Sequence, residues 1–431
     1  MVRLDLGKHR RLAAGLGATV LVLSLASSGA AGASTWHWHA NAKPLRPVPN
    51  FHPTRPPHSH SSSATPTPTA TPTQSSSSTP APSTSPVHSS TPATSSPAPS
   101  TSAPPTSSST PIPTPTTSAP AGCANPKNPW STLEACGWAG PGNTGYQAAD
   151  CPNGLTVNSG STTRVIAVTT DNTVLSCQRI TGSLDIQAKN VVIKDSYVSY
   201  DGGGVGGSGV IKIEDGASAT VDHVEINGLN HTHSCVWLQG TAATVRSINC
   251  YGINDGIFSW ADTKYSATTG DNFSISDSYF HGFTTNAANG HIDGYQTEGA
   301  NNGVIHHNTY QMTTDADSAI AIWDSLKSSS NIAVSNNLIE GGGFSVYAED
   351  YSPSESSPAG GFTVSNITFT NNVFSTHLSG CVGGYGTWFY RASWTYQGGP
   401  TDGWHRSGNT VLETGENIDA SNPHVNGVLC S

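Results

Sequence analysis

Two short phrases hold the residue types that can move a proton, Asn254-Asp255-Gly256-Ile257 and His291-Ile292-Asp293-Gly294-Tyr295. Carboxylates at matching positions of neighbouring strands stand about 5 Å apart. At that spacing one carboxyl keeps its proton near neutrality, or the two share a cation. A pair about 5 Å apart also matches the carboxyls of a retaining glycosidase. His291 lies two residues ahead of Asp293, at the end of a Gly/Asn-rich stretch, and supplies a group suited to general acid or base duty. His231, His233 and His281 are secondary candidates. The duller reading of both aspartates is a turn residue before glycine that accepts backbone N–H bonds and nothing more.

What must position these groups is a repeated strand. SGVIKIE (208–214), SCVWLQ (234–239), DGIFSW (255–260), DGYQTE (293–298), SAIAIW (318–323) and FSVYAE (344–349) share alternation with an inward third position, Val210, Val236, Ile257, Tyr295, Ile320 and Val346. Alternation then turns the fourth and sixth positions outward. The outward set includes Trp237, Phe258, Trp260, Gln296, Glu298, Trp323 and Tyr347, with Gln239 and Glu349. Aromatic faces interleaved with amides and carboxylates suit sugar rings, and contiguous exposed apolar surface marks a binding site unless loops cover it. A second phrase follows each strand, as in NVVIKDSYV (190–198), FSISDSYF (273–280) and ITFTNNVF (367–374). It sets up a polar column at Ser196, His223, Ser247, Ser278, Asn308, Asn337 and Asn372, expected to hydrogen-bond along a stack. Two short strands in a repeat of about 20 to 40 residues, with no helical period, predict an all-β chain folded as a single-stranded parallel β-helix. The hairpin turns of a sandwich are missing. Aromatic residues 385–404 are expected to cap the last coil, and residues from 122 onward to supply an N-terminal cap.

The rest of the chain bounds the setting. Residues 1–33 have a secretory layout, with basic Arg3, Lys8, Arg10 and Arg11, an apolar run from Leu12 to Ala26 and a small-residue site at Ala31-Gly32-Ala33. That run is shorter than the roughly 20 residues of a membrane span, and no later segment reaches that length. Residues 34–121 are Ser, Thr and Pro with few aliphatic side chains, which predicts a disordered linker. Residues 122–431 form the folded domain and hold 27 of the 28 acidic residues but 11 of the 18 basic ones. Such a surface repels nucleic acid, and a polyuronate would need a bound cation between it and the protein. All 8 cysteines lie there. An even count after an export signal predicts disulfides, and closeness in sequence favours Cys235 with Cys250 and Cys381 with Cys430.

These residues together resemble the secreted right-handed parallel β-helix proteins of the pectin lyase-like superfamily. The resemblance covers about residues 122–415 and is carried by the coil pattern and the His291-Ile292-Asp293-Gly294-Tyr295-Gln296 segment. It implies a substrate groove along the outward stripe and an activity among lyases, hydrolases, epimerases, esterases and adhesins. Polygalacturonase-like hydrolases carry Asn-Thr-Asp, Asp-Asp and Gly-His-Gly; Asn254-Asp255-Gly256 and Gly290-His291-Ile292 echo these in part. The Arg-x-Pro-x-x-Arg segment of pectate lyases is missing. A lyase-like alternative places Lys264 as base, with Asp262, Glu298 and Asp324 as possible calcium ligands; Lys327 occupies the offset of Lys264 in a later coil. The expectation is a monomeric secreted enzyme, extracellular or held at the cell wall, that cleaves a polysaccharide. The alternative is a non-catalytic glycan-binding surface protein.

Overall fold

A computed structural model of the chain describes residues 122–204, 208–259, 270–284, 291–324, 326–350, 362, 364–392, 395–396, 403–420, 424–425 and 428–429. Strand follows strand with pairing almost wholly parallel, each strand bonded to its counterparts one coil before and one coil after. The chain is a parallel β-helix with three strand ladders. One ladder, here the site sheet, stacks Val165–Val168, Ser183–Ile186, Gly209–Ile213, the end of Ser218–Leu238, the end of Asn249–Ser259, Asp293–Thr297, Ser318–Trp323, Phe344–Asp350 and Gly386–Ala392. Among the described residues no helix is long and apolar enough to cross a membrane.

Alternation fills the interior as predicted from Val236 onward, where Val236, Ile257, Tyr295, Ile320 and Val346 are in register and buried. In the coil before, Val236 pairs with Ile211 and not with Val210, so the sequence alignment of that coil is off by one and Lys212 takes the outward position beside Trp237. Within the core the rings stack coil on coil, Phe280 on Tyr310 at 4.8 Å and Phe273 on Tyr295 at 5.3 Å. Burial of such rings supplies much of the driving force for folding.

The corners are held by amides. Asn308, Asn337, Asn372 and Asn409 are fully buried, and each backbone N–H in the series donates to the next Oδ1 at 2.9–3.1 Å. Ser278 feeds the start of this ladder through its N–H, and Asp419 receives the end of it. Ser196 holds the same corner in an early coil. His223 and Ser247 do not belong to the stack. Both sit one residue earlier with positive φ, and Val224 and Ile248 occupy the corner instead. A second, exposed ladder joins Asn272, Asn302, Asn331 and Asn366, all with φ of 55–60°. Asparagine tolerates that left-handed conformation better than other side chains with a Cβ.

The aromatic stretch near the C-terminus is a further coil. Trp388 pairs with Val346 and Trp404 with Ile367, both indoles are buried in the core, and Trp388 Nε1 donates to the Ile418 carbonyl at 2.9 Å. Residues 122–145 run along the outside of the coils, where Trp130 reaches Ser375, Trp138 stacks on His307 and the Gly145 N–H meets the Ser247 carbonyl. Disulfides join Cys123 to Cys136, Cys151 to Cys177 and Cys235 to Cys250. Cys381 is disulfide-bonded, and Cys430 lies outside the described residues.

Candidate functional site

Each Asp-Gly phrase makes a corner where the chain enters the site sheet. A Cβ on Gly256 would lie 2.2 Å from the Gly294 carbonyl oxygen and 2.9 Å from the Phe280 ring; one on Gly294 would meet the Ala319 carbonyl and the Tyr310 ring at 2.5 Å. These glycines therefore press backbone against the core, and the aspartate before each turns the other way. Asp255 and Asp293 are consequently neighbours on successive coils, in a row with Ser234 and Ser318.

The two carboxylates are fully buried. Oδ1 of Asp255 accepts the Asp293 N–H at 3.0 Å and Nδ2 of Asn254 at 3.1 Å, while Oδ2 faces Nε2 of His233 at 3.3 Å. Oδ1 of Asp293 accepts the Ser318 hydroxyl, and its Oδ2 has no hydrogen-bond partner among the described residues. Asn254 also donates to the His291 carbonyl, which fixes the backbone that carries the imidazole. At the surface His291 Nδ1 stands 3.6 Å from Oδ2 of Asp317, with side chains 30% and 42% exposed. Asp317 is held by the Ile292 N–H at 3.0 Å.

Burial, then the neighbouring Asp293, holds the Asp255 carboxyl well above the usual range; burial, then Asp317, does the same for Asp293. Asp317 is raised by burial against the opposing pull of His291. Desolvation, reinforced by His291, pushes His233 down to about 4, so its imidazole is neutral at neutral pH. The cluster thus sets two carboxyls shifted upward and a neutral imidazole beneath the more exposed His291–Asp317 pair. Nδ1 of His291 is shielded from solvent and makes no hydrogen bond among the described residues, with Oδ2 of Asp317 3.6 Å away; an imidazole of this kind can exchange a proton through Nε2.

The outward residues are more covered than alternation alone implies. Trp237 and Phe258 are 8% and 4% exposed; they meet edge to face at 4.6 Å, and His233 packs on both. Gln296 and Glu298 are buried and hydrogen-bonded to each other at 3.3 Å. Trp323 is half-buried and turns its ring edge to His291, 6.0 Å between centroids. Tyr347 is half-buried among Phe344 and Phe389, with Tyr385 beside them 45% exposed.

Trp260, Asp262 and Lys264 lie outside the described residues. Asp324 is fully buried, and Lys327 pairs with Asp271 at 2.6 Å. Among the described residues no group of three or more His, Cys, Asp or Glu is placed to hold a metal ion. His231 pairs with Asp201, and His281 stacks on Tyr279 at 4.3 Å on a different sheet. Asp317, Asn254 and Ser318 were not singled out from sequence as chemical groups. Asp317 sits in a turn where an acid is unremarkable, and the loop lengths that bring it to His291 vary from coil to coil.

No family model matches the chain, and no curated protein does. Among solved structures it is similar to the A-module of the mannuronan C-5 epimerase AlgE4 of Azotobacter vinelandii, with 10% identity and a TM-score of 0.35 over 56% of this chain. The match spans 60% of that module's length.

Proposed function

We propose that the protein is a secreted carbohydrate-active enzyme that cleaves a polysaccharide lying along the site sheet. Residues 1–33 then serve as the export signal and 34–121 as a tether between the domain and its surroundings. The observation that carries this reading is the half-exposed His291–Asp317 pair set over the buried Asp255, Asp293 and His233. Nε2 of His291 takes the proton, from water in hydrolysis or from the carbon beside a uronate carboxylate in elimination, and returns it to the glycosidic oxygen as the C–O bond breaks. Asp317 orients the imidazole and balances its charge once protonated. Asp255 and Asp293, closed to solvent, act through position: Asp255 holds the backbone at 293 and Asp293 holds Ser318 of the next coil. Digesting neutral and acidic polysaccharides while recording both new reducing ends and the absorbance of unsaturated ends separates hydrolysis from elimination. Absence of cleavage across the panel would count against both.

A second reading, glycan binding without turnover, is favoured by the complete burial of Asp255 and Asp293 and by the half-exposed rings of Phe344, Tyr347 and Phe389 with exposed Tyr385. It predicts retention on a glycan that survives His291→Ala and is lost on Tyr347→Ala.

A further inference from the structure

One outward row crosses the site sheet by direct pairing: Asp185 with Lys212, Lys212 with Trp237, Trp237 with Phe258, and Phe258 with Gln296. Its first two members open into a cavity of about 200 Å³ lined by Val165, Ser183, Asp185, Tyr200, Ser208 and Glu214 together with Gly209 and Lys212. The cavity is built into the same framework as the site. Ser208 Oγ accepts the His233 N–H at 3.1 Å, and a Cβ on Gly209 would lie 2.8 Å from Cβ of Trp237, so only glycine lets the floor run up to the indole.

The charges inside do not suit an anion. Lys212 Nζ is already committed to Oε1 of Glu214 at 2.6 Å, and Asp185 lies against the same Glu214 carboxyl, so two carboxyl groups share one ammonium. Oδ2 of Asp185 accepts Nε2 of Gln187 at 2.7 Å, whereas its buried Oδ1 has no hydrogen-bond partner among the described residues. Burial raises the Glu214 carboxyl; Lys212 pulls it down and Asp185 pushes it back up. The lining thus combines acceptors, an ammonium and three hydroxyl-bearing side chains, Ser183, Tyr200 and Ser208, with the apolar side of Val165, which is 57% exposed. A ring with several hydroxyls and an apolar C–H face satisfies that set, and an acidic ring is repelled by it.

Resting on the polysaccharide reading above, we propose that the Asp185–Lys212–Glu214 cavity is a binding subsite for an uncharged sugar unit of the substrate chain. It lies about three strand spacings, roughly 14 Å, from Gln296 along the row that begins beside it at Lys212.

Affinity electrophoresis tests this without requiring turnover, using gels cast with hydroxyethylcellulose, arabinoxylan, galactomannan, polygalacturonate or alginate. The expected result is retardation of the full-length protein by at least one neutral polymer and by neither polyuronate. Lys212→Met and Asp185→Asn should each weaken that retardation about tenfold, while Asn331→Gly, in the exposed asparagine ladder, should leave it unchanged. Asp185→Lys is the variant a merely structural role would not explain, because it should gain retardation by polygalacturonate. Retardation by a polyuronate in the wild type, retardation indifferent to the Lys212 and Asp185 variants, or none on any polymer overturns the subsite. Cleavage that persists with Lys212-independent binding sinks the subsite alone; Lys212-dependent binding without cleavage sinks the catalytic reading alone.

Discussion

The backbone N–H of Asp293 donates to Oδ1 of Asp255 at 3.0 Å, so the carboxylate of one coil caps the start of the strand in the next. Two roles meet in that bond: it sets the coil stagger at the site, and it brings two acids together where both cannot ionise cheaply. The roles separate by substitution. Asp255→Asn keeps an acceptor for the Asp293 N–H and removes an ionisable group, so it should cost little stability, whereas Asp293→Asn should let Asp255 ionise at lower pH, visible in carboxyl carbon shifts. Asp255→Ala strands the N–H and should cost about 1–3 kcal/mol in addition. Equal stability of the two variants would show that the bond is unimportant.

His233 gives the fold a signed pH dependence. Its folded value is about 4, against roughly 6.5 for an unfolded histidine. Between those limits the unfolded chain binds more protons, so acidification from about pH 6.5 toward 4 destabilises the fold through this residue, on the order of 3 kcal/mol when complete. The raised carboxyls of Asp255 and Asp293 have the opposite sign, because there the folded state takes up protons first. His233→Gln removes the destabilising part. Urea midpoints measured at pH 7, 6 and 5 should therefore fall less on acidification in the variant than in the wild type; parallel profiles would contradict this assignment.

The buried asparagine ladder predicts a large effect far from the site. Asn337 Oδ1 accepts both the N–H and the Nδ2 of Asn308, and its own Nδ2 serves the Ile305 carbonyl. Asn337→Ala orphans those groups in a water-free corner and should cost roughly 3 kcal/mol or more. Asn331→Gly, in the exposed ladder at φ 55°, should be nearly neutral, whereas Asn331→Val should destabilise because a β-branched residue resists that conformation. Chemical denaturation of the three variants checks the order.

Gly294→Ala tests the corner itself. The new methyl group would sit 2.5 Å from the Ala319 carbonyl and the Tyr310 ring, both fixed by the core. It should destabilise by several kcal/mol and displace Asp293. Gly154→Ala, with open space around it, controls for loss of glycine, its cost being confined to the positive φ of 73°.

The coil architecture was legible because burial enforces it. Val236, Ile257, Tyr295, Ile320 and Val346 recur where an inward side chain must fill the core, and the asparagines recur where corner amides need partners. Reading failed where that pressure is relaxed. Two adjacent aliphatic residues, Val210 and Ile211, give no cue to register, and at 223 and 247 a polar residue fills the turn while the corner beside it is aliphatic. The final coil hid among aromatics because Trp388 and Trp404 replace the β-branched residues of earlier coils. Around the site, sequence pointed to Asp255, Asp293 and His291 through the repeated Asp-Gly corner, and to His233 as a secondary candidate. Asp317, and the contact of His233 with Asp255, depend on loop lengths and coil stacking, which no local pattern encodes.

The most direct test of the central claim is cleavage of a neutral and an acidic polysaccharide panel by wild type, His291→Ala and Asp317→Asn, scored on products rather than binding. Proton transfer by His291 predicts wild-type cleavage of some glycan, loss of about 10²–10⁴-fold on His291→Ala, a smaller loss on Asp317→Asn, and unchanged retention of that glycan by both variants. Wild-type cleavage that survives His291→Ala undiminished, or its absence on every polymer, would contradict it.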